Sequence, residues 1–272
     1  MQRKFEGVLI ASDIDGTLYN GQVGTIPERN KKAVAYFREN GGMFTLATGR
    51  SVPNARFLIR EIPLSAPAVL ANGTLVYDYE NEKIIDEDRL PASGWTVAEA
   101  VMKAFPDTSI KIMAGREVFY YNVTPFCRWV QETYGIRGPE RPTAPFPPET
   151  NKILFCNPVE EEADVIAFCK ANWGDHPELD MVSSNDALYE LLPKGANKAT
   201  GVEKLIRAYH LDEDRVYVIG DYYNDEEMLR RFDHSFAPSG SPDEIKALCE
   251  KTFGPCEEGA VADLIDYLDR IY

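Results

Sequence analysis

The sequence predicts an α/β protein in which a parallel-sheet core is interrupted by an inserted α+β module. Three observations carry this. Short apolar runs alternate with amphipathic helical patterns from Gly7 to Gly73, the signature of parallel strands joined by crossovers. From about residue 85 to residue 189 strands instead come in pairs around helices. The parallel pattern then resumes at Gly195. The core is accordingly expected over 1–84 and 190–272, and the inserted domain over 85–189.

Taken in order, Gly7–Ser12 is the first strand. Thr25-Ile26-Pro27-Glu28 fits a capping box with proline in the first turn, opening a helix with Ala33, Val34 and Phe37 on one face that stops at Asn40-Gly41-Gly42. Met43–Ala47 is the second strand, ending in Thr48-Gly49-Arg50, with a helix running to about Arg60. Ala68–Leu70 is the third, ending in Ala71-Asn72-Gly73, and Thr74–Ile85 reads as a hairpin. The inserted module contributes helix Trp95–Phe105, strands Ser109–Met113 and Glu117–Tyr121, and helix Thr124–Tyr134. A proline-rich loop from Pro139 to Pro148 leads to strand Lys152–Cys156, helix Glu160–Ala171 and strands near Met181–Ser184 and Ala187–Leu192. A helix from Gly195 to Tyr209, the strand Val216–Ile219 and a helix Gly259–Ile271 complete the core.

Composition narrows the function classes. At 272 residues with 44% hydrophobic content the chain buries a substantial core. No apolar run reaches the ~20 residues of a membrane helix, and the start lacks a signal peptide, so a cytoplasmic protein is expected. Cys127, Cys156, Cys169, Cys249 and Cys256 make no C-x-x-C pair and read as reduced thiols. A net charge of −15 argues against nucleic acid or an anionic membrane as partner. A phosphorylated substrate would need a local cation in so acidic a protein.

The chemistry-bearing residues share a topological position. Asp13 and Asp15 in Asp13-Ile14-Asp15-Gly16-Thr17-Leu18, Thr48-Gly49, and Gly220-Asp221-Tyr222-Tyr223-Asn224-Asp225 all follow expected strands, and Lys198 begins a helix. In an open parallel sheet the carboxyl ends of the strands form the ligand crevice. Two like charges at ~4 Å repel by ~4 kcal/mol at an effective dielectric of about 20, so Asp13, Asp15, Asp221 and Asp225 require a counter-ion. An all-oxygen donor set favours Mg²⁺ over zinc. The roles follow: Asp13 as nucleophile forming an aspartyl-phosphate, and Asp15 as acid and then base, its backbone carbonyl also able to bind the metal. Asp221 is a direct metal ligand, and Asn224 and Asp225 complete its surroundings. Lys198 (with Lys194 as the competing candidate), Thr48, Gly49 and Asn224 hold phosphoryl oxygens.

These four ordered motifs resemble those of the haloacid dehalogenase superfamily. Asn72-Gly73, the inserted module and Glu258-Gly259-Ala260-Val261 are similar to its Cof-type subfamily with a type IIB cap. The resemblance covers nearly the whole chain. It implies a Rossmann-like parallel-sheet core with an inserted α+β cap domain, Mg²⁺, and phosphatase activity on small phosphorylated metabolites. It maps nucleophile, acid/base, phosphate-binding and metal-binding roles onto Asp13, Asp15, Thr48, Lys198 and Asp221. One stretch departs from the family pattern: Phe236-Ala237-Pro238-Ser239-Gly240-Ser241-Pro242 stands where members commonly show A-M-G-N-A, and it is expected to be a loop bordering the crevice.

Other readings stay beside this one. A phosphomutase of the phosphomannomutase-like group would pass the phosphoryl group to a sugar hydroxyl, and a non-catalytic phosphometabolite-binding protein would need no acid/base. Arg50 and Asn72 are candidates for the substrate entrance. Tyr120, Tyr121, Phe126 and Trp129 read as core of the module. His176, His210 and His234 are too scattered for a triad or a zinc site. A monomer or weak homodimer is expected, and the identity of the phosphometabolite is not encoded in any motif.

Overall fold

A computed structural model describes residues 3–21, 24–134, 138–141, 145–185 and 188–272. Its elements run β1 (Leu9–Ser12), α1 (Glu28–Glu39), β2 (Met43–Leu46), α2 (Val52–Glu61), β3 (Ala68–Leu70), β4 (Leu75–Asp78), β5 (Lys83–Glu87), α3 (Ser93–Ala104), β6 (Ser109–Ala114), β7 (Glu117–Tyr121) and α4 (Pro125–Tyr134). They continue with β8 (Thr150–Cys156), α5 (Val159–Trp173), β9 (Leu179–Asn185), β10 (Leu188–Pro193), α6 (Lys198–Tyr209), β11 (Val216–Ile219), α7 (Glu226–Arg231), β12 (His234–Pro238), α8 (Asp243–Lys246), β13 (Lys251–Phe253) and α9 (Ala260–Ile271). The chain divides into two compact units, one of Met1–Gly49, Ala55–Asp86 and Asn197–Tyr272, the other of Arg50–Asn54 and Glu87–Ala196.

The first unit is built on a sheet of order β13-β12-β11-β1-β2, parallel at every pairing. Its strands are apolar at nearly every position because both faces are covered. Leu9 and Ala11 lie level with Val216 and Val218 and pack with Val202, Leu205, Met228 and Leu229 of α6 and α7. On the other face α1 and α9 pack together, burying Phe37, Leu264 and Leu268. The third expected strand does not extend this sheet as a full member. It meets β2 through a single parallel bridge, Ala47 to Val69, and pairs antiparallel with β4 in a small sheet of order β3-β4-β5.

The second unit is a five-stranded sheet of order β7-β6-β8-β10-β9 with antiparallel pairings. Period-2 alternation gives it a strongly apolar face, where Ile110, Ile112, Phe119, Ile153, Phe155 and Leu191 pack with residues of α3 and α5. On the opposite face Val118, Tyr120, Leu154 and Cys156 pack with Cys127 of α4.

Several sequence expectations need correction. No capping box opens α1: Pro27 is itself the cap residue, without a side-chain hydrogen bond, and Thr25 bridges to Asn20 instead. Helix α6 starts at Lys198 rather than near Gly195, because Asn197 is extended and caps it reciprocally with Thr200. Phe236-Ala237-Pro238 is not loop but the buried end of β12, level with Lys251, Thr252 and Phe253 of β13, and only then does the chain turn toward α8. Trp129 is no core residue: it is 56% exposed on α4, whereas Tyr120 and Tyr121 are buried and Phe126 half-buried. Ala187 and part of the proline-rich loop, residues 142–144, lie outside the described residues. All five cysteines are free thiols, and among the described residues no helix is long and apolar enough to cross a membrane.

Candidate active site

Strands β1 and β11 run side by side with Ser12 level with Ile219, so the chain leaves both at the same sheet edge. The Asp13 N–H donates to the Ile219 carbonyl at 2.9 Å and the Ser12 hydroxyl to the Asp13 carbonyl at 2.7 Å. Asp13 is thereby fixed beside the Gly220-Asp221 turn. Two glycines make the approach feasible. At Gly16, with φ +89°, a Cβ would stand 2.3 Å from the Asp221 carboxylate, and at Gly220 one would stand 2.4 Å from the Asp225 carboxyl carbon. The Thr17 hydroxyl donates to Asp221 Oδ1 at 2.7 Å, joining the two motifs.

Lys198 is the first residue of α6 and fully buried. Its Nζ lies 2.7 Å from Asp13 Oδ1 and 2.7 Å from Asp225 Oδ1. Asp225 turns its other oxygen to two backbone donors, the N–H of Asp221 at 3.0 Å and of Tyr222 at 3.2 Å. Both oxygens of Asp225 are therefore committed to holding Lys198 and shaping the Asp221 turn. Carboxylate oxygens of Asp13, Asp221 and Asp225 all lie within 4.8 Å of one another.

Three carboxylates face one ammonium, and the titration behaviour reflects it. Burial, reinforced by the charges of Asp225, Asp221 and Asp15, pushes the Asp13 carboxyl well above the usual range against the pull of Lys198. Burial and then Asp225 push Asp221 up to about 7. Burial alone would lower Lys198, but Asp13 and Asp225 outweigh it and hold the ammonium charged. The excess negative charge, set in an all-oxygen donor group, fits a hard divalent cation such as Mg²⁺. Asp13, Asp221 and Asp225 are the group whose carboxylate oxygens could hold it.

The remaining sequence candidates are placed as follows. The Asp15 side chain is exposed and its carboxylate is outside the three-carboxylate group; its backbone bridges to Tyr19 across the turn. Thr48 is 1% exposed at the end of β2, its N–H donating to the Val69 carbonyl at 2.9 Å, and Gly49 follows half-buried. Asn72 follows β3. It is 3% exposed, in the left-handed region at φ 56°, and its N–H donates to the Thr48 carbonyl at 3.0 Å, bracing that loop. Arg50 groups with the second unit, its guanidinium donating to the Asn54 carbonyl at 3.2 Å. Asn224 is half-buried in the turn Tyr223–Asp225. Lys194 is paired with Asp180 in the second unit, which leaves Lys198 as the lysine of this centre. The sequence reading passed over Thr17, whose signal was its place four residues after Asp13. Cys256, read from the sequence as a reduced thiol, is a buried free thiol pushed up to about 12 by burial and then by Asp221.

The profile of the family described as haloacid dehalogenase-like hydrolase matches residues 10–265. Among curated proteins, the HMP-PP phosphatase of Klebsiella pneumoniae (strain 342) is 26% identical over 267 residues, covering 95% of this chain and 94% of the relative. The 5-amino-6-(5-phospho-D-ribitylamino)uracil phosphatase YwtE of Bacillus subtilis (strain 168) is 24% identical over 282 residues, covering 95% and 97%. Among solved structures, a haloacid dehalogenase-like hydrolase from Bacteroides thetaiotaomicron superposes with a TM-score of 0.81 at 23% identity, covering 97% of this chain and 99% of its own.

Proposed function

The chain belongs to the haloacid dehalogenase-like hydrolase family, and from that premise we propose that it is a Mg²⁺-dependent phosphatase of small phosphomonoesters working through a phosphorylated Asp13. The observation that carries this reading is the buried Asp13 carboxylate, with Lys198 Nζ 2.7 Å from one oxygen and Asp221 beside it. The phosphatase relatives, each matched over nearly the whole chain, support the reaction class.

Asp13 and Asp221 would hold the cation, with Asp225 fixing the turn that carries Asp221. When bound, Mg²⁺ offsets the carboxylate charge and that of the phosphoryl group, so that an anionic nucleophile can approach an anionic phosphorus. An Asp13 oxygen attacks phosphorus while the bond to the leaving oxygen breaks, and Asp15 gives that oxygen its proton. Asp15 is exposed and lies outside the three-carboxylate group. In the second half Asp15 takes a proton from water, the water oxygen attacks phosphorus, and the Asp13–phosphorus bond breaks to release phosphate. The Thr48 hydroxyl, the Gly49 amide, Asn224 and the Lys198 ammonium hold the phosphoryl oxygens. Lys198 pulls the Asp13 carboxyl toward its ionised form against the effect of burial, and a bound cation would pull the same way.

The same reading puts the enzyme in the cytoplasm, as a monomer or weak homodimer, acting on small phosphorylated metabolites with no nucleic-acid or membrane partner. The test is phosphate release from a broad set of phosphometabolites with Mg²⁺, with EDTA, and with Asp13→Asn. Turnover by the wild type alone, only with metal, is expected. Activity of Asp13→Asn, or robust turnover in EDTA, would overturn it.

A further inference from the structure

The second unit buries a row of charges that the proposed chemistry does not use. Lys111 of β6 and Glu190 of β10 both lie level with Leu154 of β8, and Lys152 precedes Leu154 by two residues. By the period of two, the three charged side chains share one face across three adjacent strands, opposite the apolar face. Lys152 and Glu190 form an ion pair at 2.6 Å, with side chains 0% and 3% exposed. Lys111 is only 8% exposed, and its side chain makes no hydrogen bond and no ion pair with a described residue, Glu190 reaching it only at longer range. Lysine is rarely buried this far without a partner.

The charge of the row is unbalanced. Lys152 and Glu190 neutralise each other, Lys111 remains, and Arg50 of the same unit adds a further positive charge within its reach. Burial and then Lys152 pull the Lys111 amine down to about 8, the mark of an ammonium short of a counter-charge. We propose that this face is an anion-binding site of the inserted unit, with Lys111 as its principal donor, taking the phosphate or carboxylate group of a small metabolite. An oxyanion there gains a charge-assisted hydrogen bond and relieves an uncompensated buried charge.

The test uses the full chain without metal, because three carboxylates against one lysine then keep anions out of the catalytic centre. Calorimetric titration with inorganic phosphate and, separately, malonate at constant ionic strength is expected to show saturable binding of at least one of them. The tighter anion identifies the group recognised. Lys111→Met or Lys111→Gln should weaken it by about tenfold or more. Thermal melting without anion checks that each variant folds, and Lys111→Met is expected to melt no lower than wild type, since it removes an unpaired buried charge. Absence of saturable binding to either anion, or wild-type affinity in a folded Lys111 variant, overturns the proposal. The readout needs no turnover, so its failure is distinct from failure of the phosphatase reading.

Discussion

The two units bury charge in opposite ways. At the edge of the parallel sheet, Asp13, Asp221 and Asp225 surround Lys198, and the surplus is negative. On the antiparallel sheet, Lys111 and Lys152 share Glu190, and the surplus is positive. Both arrangements cost stability unless something external supplies the missing charge, because desolvated ions are not compensated by partial pairing. The ligands proposed for the two units have opposite sign, a cation for the first and an anion for the second.

The comparison is broken most severely at Asp13. Asp13→Asn removes both the nucleophile and one charge of the surplus, and is expected to lower turnover by about 10⁴-fold or more while the protein stays folded. Phosphate-release kinetics and a melting curve read the two effects separately. Lys198→Met removes the cation paired with Asp13 and Asp225. We expect a loss of about 10²–10³-fold in kcat and, without metal, a destabilisation of about 3–5 kcal/mol by denaturant titration, because Asp13 and Asp225 are left buried together. If stability held in that variant, the negative surplus would be fictitious.

The second unit offers the matching test. Lys152→Met alone breaks the buried pair with Glu190 and should cost about 3–5 kcal/mol in chemical denaturation. Adding Glu190→Leu should recover part of that loss, since an apolar pair replaces the ion pair while Lys111 loses the charge of Glu190.

A smaller effect separates the units by pH. Asp221 sits at about 7 in the metal-free fold, above its ordinary 3.8, and Asp13 is also raised. The folded protein then holds protons that the unfolded chain has released, so this contribution to stability is full below the unfolded value and is lost as pH rises through about 7. Melting temperature in EDTA should therefore rise as pH falls from 8 toward 5.5, and saturating Mg²⁺ should flatten that slope. The smallest change expected is Thr17→Val, about 1 kcal/mol, from loss of a single hydrogen bond to Asp221.

The carboxylate centre was legible because its residues follow apolar strands whose order in a parallel sheet is strongly constrained. Asp13 and Asp221 come together for the same reason that Leu9 meets Val216. What the motif could not convey is that Asp225, besides standing in the three-carboxylate group, accepts from Lys198 and from two amides that shape the Asp221 turn. Strands β12 and β13 escaped notice for a different reason. Pro238 and the polar Lys251-Thr252 carry no strand signature, and pairing with a neighbour rather than local propensity makes them strands. Lys111, Lys152 and Glu190 carry no motif in sequence, each being a lone charge within a mostly apolar strand, and only the strand pairing shows that they share one buried face.

Acid-quenched single turnover with Mg²⁺ and an active phosphomonoester, followed by mass-spectrometric mapping of the protein, tests the central claim most directly. The phosphoryl group should appear transiently on the peptide containing Asp13 and on Asp13 itself, and should be absent in Asp13→Asn. Phosphorylation of a different residue, or turnover with no phosphorylated protein at any quench time, would contradict the account.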